Sequence, residues 1–147
     1  MKWVKTLSEP EIGVLVQSLQ AVVVKRPYII FLSGTLGAGK TAFIRHWLMA
    51  LGVHEHVASP TYSIVQTYTI ADDTLHHFDC YRLSGVEMLY DMGVEDYLSD
   101  NMLVEWAENG MDSLVKPDLT IDIAFSSDDD RSRVYTITSY TSDITLN

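Results

Sequence analysis

Cysteine is nearly absent: Cys80 stands alone in 147 residues, which rules out an internal disulfide and suits a reducing compartment. Basic residues are half as many as acidic ones, 10 against 20, for a formal charge of −10 and a pI near 4.7. So acidic a chain has no general attraction for nucleic acid phosphates; DNA binding is not expected, and any connection to RNA must run through a partner or a small local patch. Long apolar runs are missing too, and no segment approaches the roughly 18 residues of a membrane span. The stretch from Ile12 to Val24 follows lysines, but Ile12, Leu15, Val16, Leu19, Val22 and Val23 recur at helical spacing with Gln17, Ser18 and Gln20 between them. That spacing predicts a surface helix with one buried face, and no secretory leader is expected. With no repeat, low-complexity segment or linker to divide it, the chain is expected to be one domain over residues 1–147.

What is present centres on Gly34-Thr35-Leu36-Gly37-Ala38-Gly39-Lys40-Thr41, which fits the phosphate-cradle pattern G-x-x-x-x-G-K-[ST] at every fixed position. Glycines let a backbone wrap a phosphate closely, so that successive N–H groups point at it from a helix N-terminus. Lys40 is then expected to reach the outer phosphates of ATP. Thr41 is expected to offer its hydroxyl to a magnesium ion, which prefers oxygen ligands. The nucleotide-holding stretch is Thr35, Leu36, Gly37, Ala38, Gly39, Lys40, Thr41 and Ala42. The flanks agree. Tyr28 to Leu32 has the length and composition of a buried parallel strand, and Phe43, Ile44, Trp47, Leu48 and Leu51 recur at helical spacing before a capping Gly52.

Around this unit, Trp3 to Leu7 is predicted as a strand, followed by a helix with Ser8 as N-cap and Glu11 as its capping-box partner. Tyr62 to Ile70 and Leu75 to Tyr81 are predicted as a hairpin joined by a turn at Ala71–Thr74. Ser84 and Glu87 predict a second capping box, opening a helix that stops at Gly93. Asp100-Asn101 is predicted as a turn before the apolar run Met102-Leu103-Val104. Leu119 to Phe125 and Arg133 to Tyr140 predict a closing hairpin. The summed expectation is a three-layer α/β phosphate-loop domain with a mixed sheet, parallel around the nucleotide and antiparallel in the hairpins.

Phosphoryl transfer needs charge neutralisation and an oriented water more than covalent chemistry. Two strand-end acids qualify as catalytic residues beside Lys40, and as metal-side carboxylates beside Thr41. They are Glu105, which closes the apolar run, and Asp79, which ends the second hairpin arm. Thr61 sits in a proline-braced turn where a switch could present a hydroxyl, and Arg82 could meet either transition-state charge or Asp79. His76 and His77 alternate across one strand and are taken as ordinary histidines, as are His54 and His56. Val115-Lys116-Pro117-Asp118 falls short of the guanine-reading [NT]-K-x-D because Val115 has no amide, so ATP is favoured over GTP. The arginines are scattered, with no basic lid, which disfavours a small-molecule kinase.

Several stretches in fixed order, Ser33 to Thr41, Ser59-Pro60-Thr61-Tyr62-Ser63, His77-Phe78-Asp79-Cys80-Tyr81-Arg82-Leu83, Gly93-Val94-Glu95-Asp96-Tyr97 and Leu103-Val104-Glu105-Trp106, resemble the bacterial TsaE (YjeE) family. The resemblance covers about Thr6 to Phe125. It implies a cytoplasmic ATPase of tRNA threonylcarbamoyladenosine biosynthesis, weak alone, that acts on a TsaB–TsaD type heterodimer and touches tRNA only indirectly. By the same resemblance Lys40 and Thr41 match the phosphate and magnesium residues, Asp79 the aspartate of H-x-D-x-Y-R, and Glu105 with Trp106 the Glu-Trp pair. Thr35, Cys80 and Ala107 depart from the common family residues without removing a group the chemistry needs. An alternative within this reading is a nucleotide-dependent assembly module with negligible hydrolysis of its own.

Overall fold

Strand β1 (Lys2–Ser8) leads directly into helix α1 (Glu9–Val22). The predicted capping box forms, with the Ser8 N–H donating to Glu11 Oε1 at 3.0 Å. β2 (Ile29–Ser33) runs through the glycine loop to α2 (Lys40–Ala50), and Gly52 follows in the left-handed region at φ 97°. β3 (Val65–Ile70) and β4 (Asp73–Asp79) form the expected antiparallel hairpin. The turn is tighter than predicted, because Asp73 and Thr74 already pair with Ile70 and Thr69. α3 (Val86–Asp91), β5 (Asn101–Glu105), β6 (Leu119–Phe125) and β7 (Ser132–Ser139) complete the order, with short 3-10 turns at Val94–Tyr97, Ala107–Asn109 and Met111–Ser113. The computed structural model describes residues 1–23, 26–54, 63–141 and 146.

Among the described residues, seven strands join one mixed sheet in the order β1-β7-β6-β2-β5-β4-β3. β2 pairs in parallel with both β5 and β6, and β5 with β4, while β1–β7, β6–β7 and β3–β4 are antiparallel. The period-2 alternation of β2 therefore faces two helical layers. Ile30 and Leu32 pack with Leu19 of α1 and Phe43, Ile44, Trp47 and Leu48 of α2. On the other face Ile29 and Phe31 lie against a cluster of Phe78, Met102, Val104, Leu89 and Met111. Each such side chain, fully buried, contributes on the order of 1.5–3 kcal/mol. The Trp47 indole N–H also donates to the Tyr28 hydroxyl at 3.1 Å, tying α2 to the foot of β2.

Two local expectations are corrected. The second capping box is absent: Gly85 is the N-cap of α3, and the Ser84 hydroxyl turns to the Met88 sulfur at 3.3 Å. A six-residue helix offers too few propagating bonds to outweigh such local competition. Asn101 is no turn residue; it opens β5 fully buried, accepting from the Tyr28 N–H at 2.9 Å and donating to Asp73 Oδ1 at 2.7 Å. Its side chain satisfies backbone at the end of the sheet where β2 begins.

Candidate functional site

β2, β5 and β4 run parallel and neighbouring, so their carboxyl ends form one edge, where α/β sheets place ligands. Leu32 is in register with Glu105, and Glu105 with Asp79. One rung therefore carries the last residue before the loop's Ser33-Gly34 entry and the two acids singled out from the sequence. A cavity of about 330 Å³ opens there, lined by the loop from Leu36 to Thr41 and by Asp79, Tyr81, Glu105 and Trp106.

The loop's shape depends on its glycines. Gly37 and Gly39 sit at φ 80° and 113°, and Gly39 is the N-cap of α2, so the first helical N–H groups, which lack intrahelical partners, face the loop's hollow. Gly34 answers a second need, because a Cβ there would lie 2.5 Å from the Ile123 carbonyl oxygen. The loop is braced from outside by Arg133, whose Nε–H donates to the Ala38 carbonyl at 3.1 Å while its guanidinium stacks 4.4 Å from the Phe125 ring centre.

Lys40 is buried, and its ammonium donates to the carbonyls of Gly34 and Thr35, the latter at 3.3 Å. The same Nζ lies 4.6 Å from the centre of the Trp106 ring. Trp106 is held in the left-handed region at φ 57°, a conformation that costs a non-glycine residue roughly 1–2 kcal/mol. Its ring meets Tyr81 at 5.0 Å between centroids, so two aromatics form one wall of the cavity.

Both acids are buried. Asp79 Oδ1 accepts from the Tyr81 N–H at 3.0 Å, so this acid shapes the turn after β4 as well as lining the cavity. Glu105 Oε2 accepts from the His77 Nε2–H at 2.7 Å. Asn109 bridges the two strand ends, donating to the carbonyls of Cys80 at 3.0 Å and Tyr81 at 3.3 Å.

Of the expected nucleotide-holding residues, Leu36 to Thr41 line this cavity. Thr35 instead lends its carbonyl to Lys40 and to the Ala38 N–H, and Ala42 lines a second cavity of about 580 Å³ on the far side of the loop, with Glu9, Pro10, Arg131, Arg133 and Tyr135. Arg82 is exposed and is not among the lining residues, and Thr61 lies outside the described residues. His76 is an ordinary histidine of the opposite face, bonded to Thr67 at 2.7 Å and Asp100 at 2.8 Å. His77 is not ordinary. Strand alternation places it on the face of Asp79, but its partner Glu105 is 28 residues away and comes near only through parallel pairing. Arg133 carried no local signal at all. Asp118 is turned inward onto the Ile29 N–H at 2.8 Å, at the end of β2 remote from the loop, which is no position for reading a guanine.

Among the described residues no helix is long and apolar enough to cross a membrane. The family model described as threonylcarbamoyl adenosine biosynthesis protein TsaE matches residues 7–135. The chain is 39% identical over 106 residues to the tRNA threonylcarbamoyladenosine biosynthesis protein TsaE of Haemophilus influenzae, covering 71% of this chain and 67% of that one. The Bacillus subtilis protein of the same description is 33% identical over 138 residues, 92% of this chain and 85% of that one. The crystal structure of YdiB from Bacillus subtilis superposes with a TM-score of 0.71 at 28% identity, over 96% of this chain and 86% of the other. On the strength of these matches, and with the loop and strand-end acids in the order already described, the chain belongs to the TsaE family of threonylcarbamoyl adenosine biosynthesis proteins.

Proposed function

We propose that the chain is the magnesium-dependent, ATP-hydrolysing subunit of tRNA threonylcarbamoyladenosine biosynthesis in the cytoplasm, acting on a TsaB–TsaD type complex and not transferring the group itself. The observation that carries this reading is the convergence of Lys40, Thr41, Asp79 and Glu105 on one cavity at the carboxyl edge of the parallel strands. The glycine loop and the N-terminus of α2 favour a polyphosphate, and Lys40 supplies the cation for its outer end. The second cavity, beside Ala42, has room for the nucleoside. The inward-facing Asp118 supports adenine over guanine.

The donor set suits magnesium. The Thr41 hydroxyl and the Asp79 and Glu105 carboxylates are hard oxygens of residues lining one cavity, and they would hold the ion together with substrate phosphates and water. Among the described residues no group of three His, Cys, Asp or Glu forms an all-protein cage, and an ion shared with substrate requires none. Bound magnesium would neutralise charge on the transferring phosphoryl group. Glu105 would orient the attacking water, and Trp106 and Tyr81 line the same cavity as an aromatic wall.

Weak activity without partners is supported by Lys40 itself, whose ammonium is engaged by loop carbonyls and the Trp106 ring instead of facing the cavity alone. The charge of −10 leaves tRNA to the partners. Glu105→Ala tests the reading against that of a pure assembly module. Loss of tRNA modification with ATP binding and partner assembly intact shows that hydrolysis is needed; retained modification would leave binding alone as the function.

A further inference from the structure

His77 is completely buried in β4 and does not line the nucleotide cavity. Its Nε2–H donates to Glu105 Oε2, while its Nδ1 meets no partner among the described residues. An imidazole with one nitrogen stripped of water and unpaired is a poor choice for stability, and an aliphatic side chain would fill the space without that loss. The other nitrogen does specific work. Glu105 ends its strand, and the terminal torsion of a glutamate is broad, so nothing intrinsic fixes the plane of its carboxylate. A rigid ring anchored inside a neighbouring strand fixes it through one hydrogen bond, as outer partners orient the carboxylates of metal and phosphoryl-transfer sites.

We infer that His77 is the positioning residue of Glu105, holding Oε2 so that the remaining oxygen serves the cavity. The inference rests on the reading of Glu105 as the acid acting at the phosphoryl end. His77 touches neither nucleotide nor metal and acts only through the carboxylate, as the Nε2–H tautomer with a bare Nδ1.

Four variants of the full chain test this: His77→Leu, His77→Gln, Glu105→Gln and the double His77→Leu/Glu105→Gln. For each, phosphate release from magnesium ATP is measured with the TsaB–TsaD pair, beside ATP affinity and thermal unfolding. His77→Leu is expected to lower kcat by about 10–100-fold with ATP affinity unchanged. His77→Gln, whose amide restores an N–H at the same reach, is expected to recover most of the loss. The double variant is expected to be no slower than Glu105→Gln alone, since the histidine has no other route to the chemistry. The imidazole nitrogen spectrum of the wild-type protein, which requires no variant to fold, is expected to show hydrogen on Nε2 and none on Nδ1. Hydrogen on Nδ1 with a bare Nε2 would overturn the inference, as would a wild-type kcat for His77→Leu beside a slow Glu105→Gln. If Glu105→Gln itself turns over at the wild-type rate, the reading of Glu105 falls and takes the role of His77 with it.

Discussion

Asp79 and Glu105 are register partners on adjacent parallel strands, each the last residue of its strand. Their side chains leave one rung of the sheet on the same side and border one cavity. Two carboxylates that border one cavity suit a cation as partner, and this juxtaposition supports the proposed metal-bound polyphosphate.

The two acids separate by substitution. Asp79→Asn keeps an oxygen for the Tyr81 N–H while it removes the charge and turns the other oxygen into an NH2 donor, so it is expected to lower ATP turnover by roughly 10²-fold. Asp79→Ala also strips the Tyr81 N–H of its acceptor, which adds a stability loss of about 1 kcal/mol. Urea unfolding and steady-state turnover on both variants check the ordering; equal stabilities would show that the turn does not depend on Asp79.

On the proposed reading, nucleotide phosphates would compete with the Trp106 ring for the Lys40 ammonium, which lies 4.6 Å from the ring centre. Adding ATP or ADP is therefore expected to change the tryptophan emission. The change should vanish in both Lys40→Ala and Trp106→Phe, leaving the constant signals of Trp3 and Trp47. A response that survives Trp106→Phe would place the rearrangement elsewhere.

Within the loop, the glycines are not equivalent. At Gly34, with φ 146°, an added Cβ would sit 2.5 Å from the Ile123 carbonyl oxygen, and Gly34→Ala is expected to cost about 3 kcal/mol. At Gly37 the space is open and only the backbone at φ 80° resists, so Gly37→Ala is expected to cost about 1–2 kcal/mol. Urea unfolding of the two variants gives the comparison directly, and the reverse order would contradict it.

Burial pushes the Cys80 thiol up to about 12, helped by the negative charges of Asp79, Glu108 and Glu105, from an ordinary value of 9.0. Burial likewise pushes the Tyr135 phenol from 10.0 to about 12, against the opposing pull of Arg133. In the fold both groups keep protons that the unfolded chain releases, so their contribution to stability is full below pH 9 and is lost as pH rises toward 12. Urea midpoints should fall across that window, less steeply in Cys80→Ala than in wild type. A flat profile would contradict the burial of both groups.

Legibility in the sequence followed the range of the interactions. The glycine loop, its strand and helix, the Ser8–Glu11 box and the hairpins were readable because their determinants lie within a few residues of one another. The Ser84–Glu87 pattern was equally local and misled, since α3 is too short for its cap to prevail over the contact with Met88. Asn101 read as a turn because asparagine favours turns, whereas here its side chain meets partners near residues 28 and 73. His77 shows the limit most clearly. Alternation places it on the active face, but the bond that distinguishes it from His76 needs β4 and β5 side by side, which no local pattern specifies.

The central claim is that this cavity hydrolyses ATP for the threonylcarbamoyladenosine machinery. Its most direct test is magnesium-dependent phosphate release from ATP by the full chain, alone and with its TsaB–TsaD pair and tRNA, using Lys40→Ala as the blank. The account predicts slow release alone, stimulation by the partners, and loss of both in Lys40→Ala. Release that is indifferent to the partners, or equal in Lys40→Ala, would contradict it.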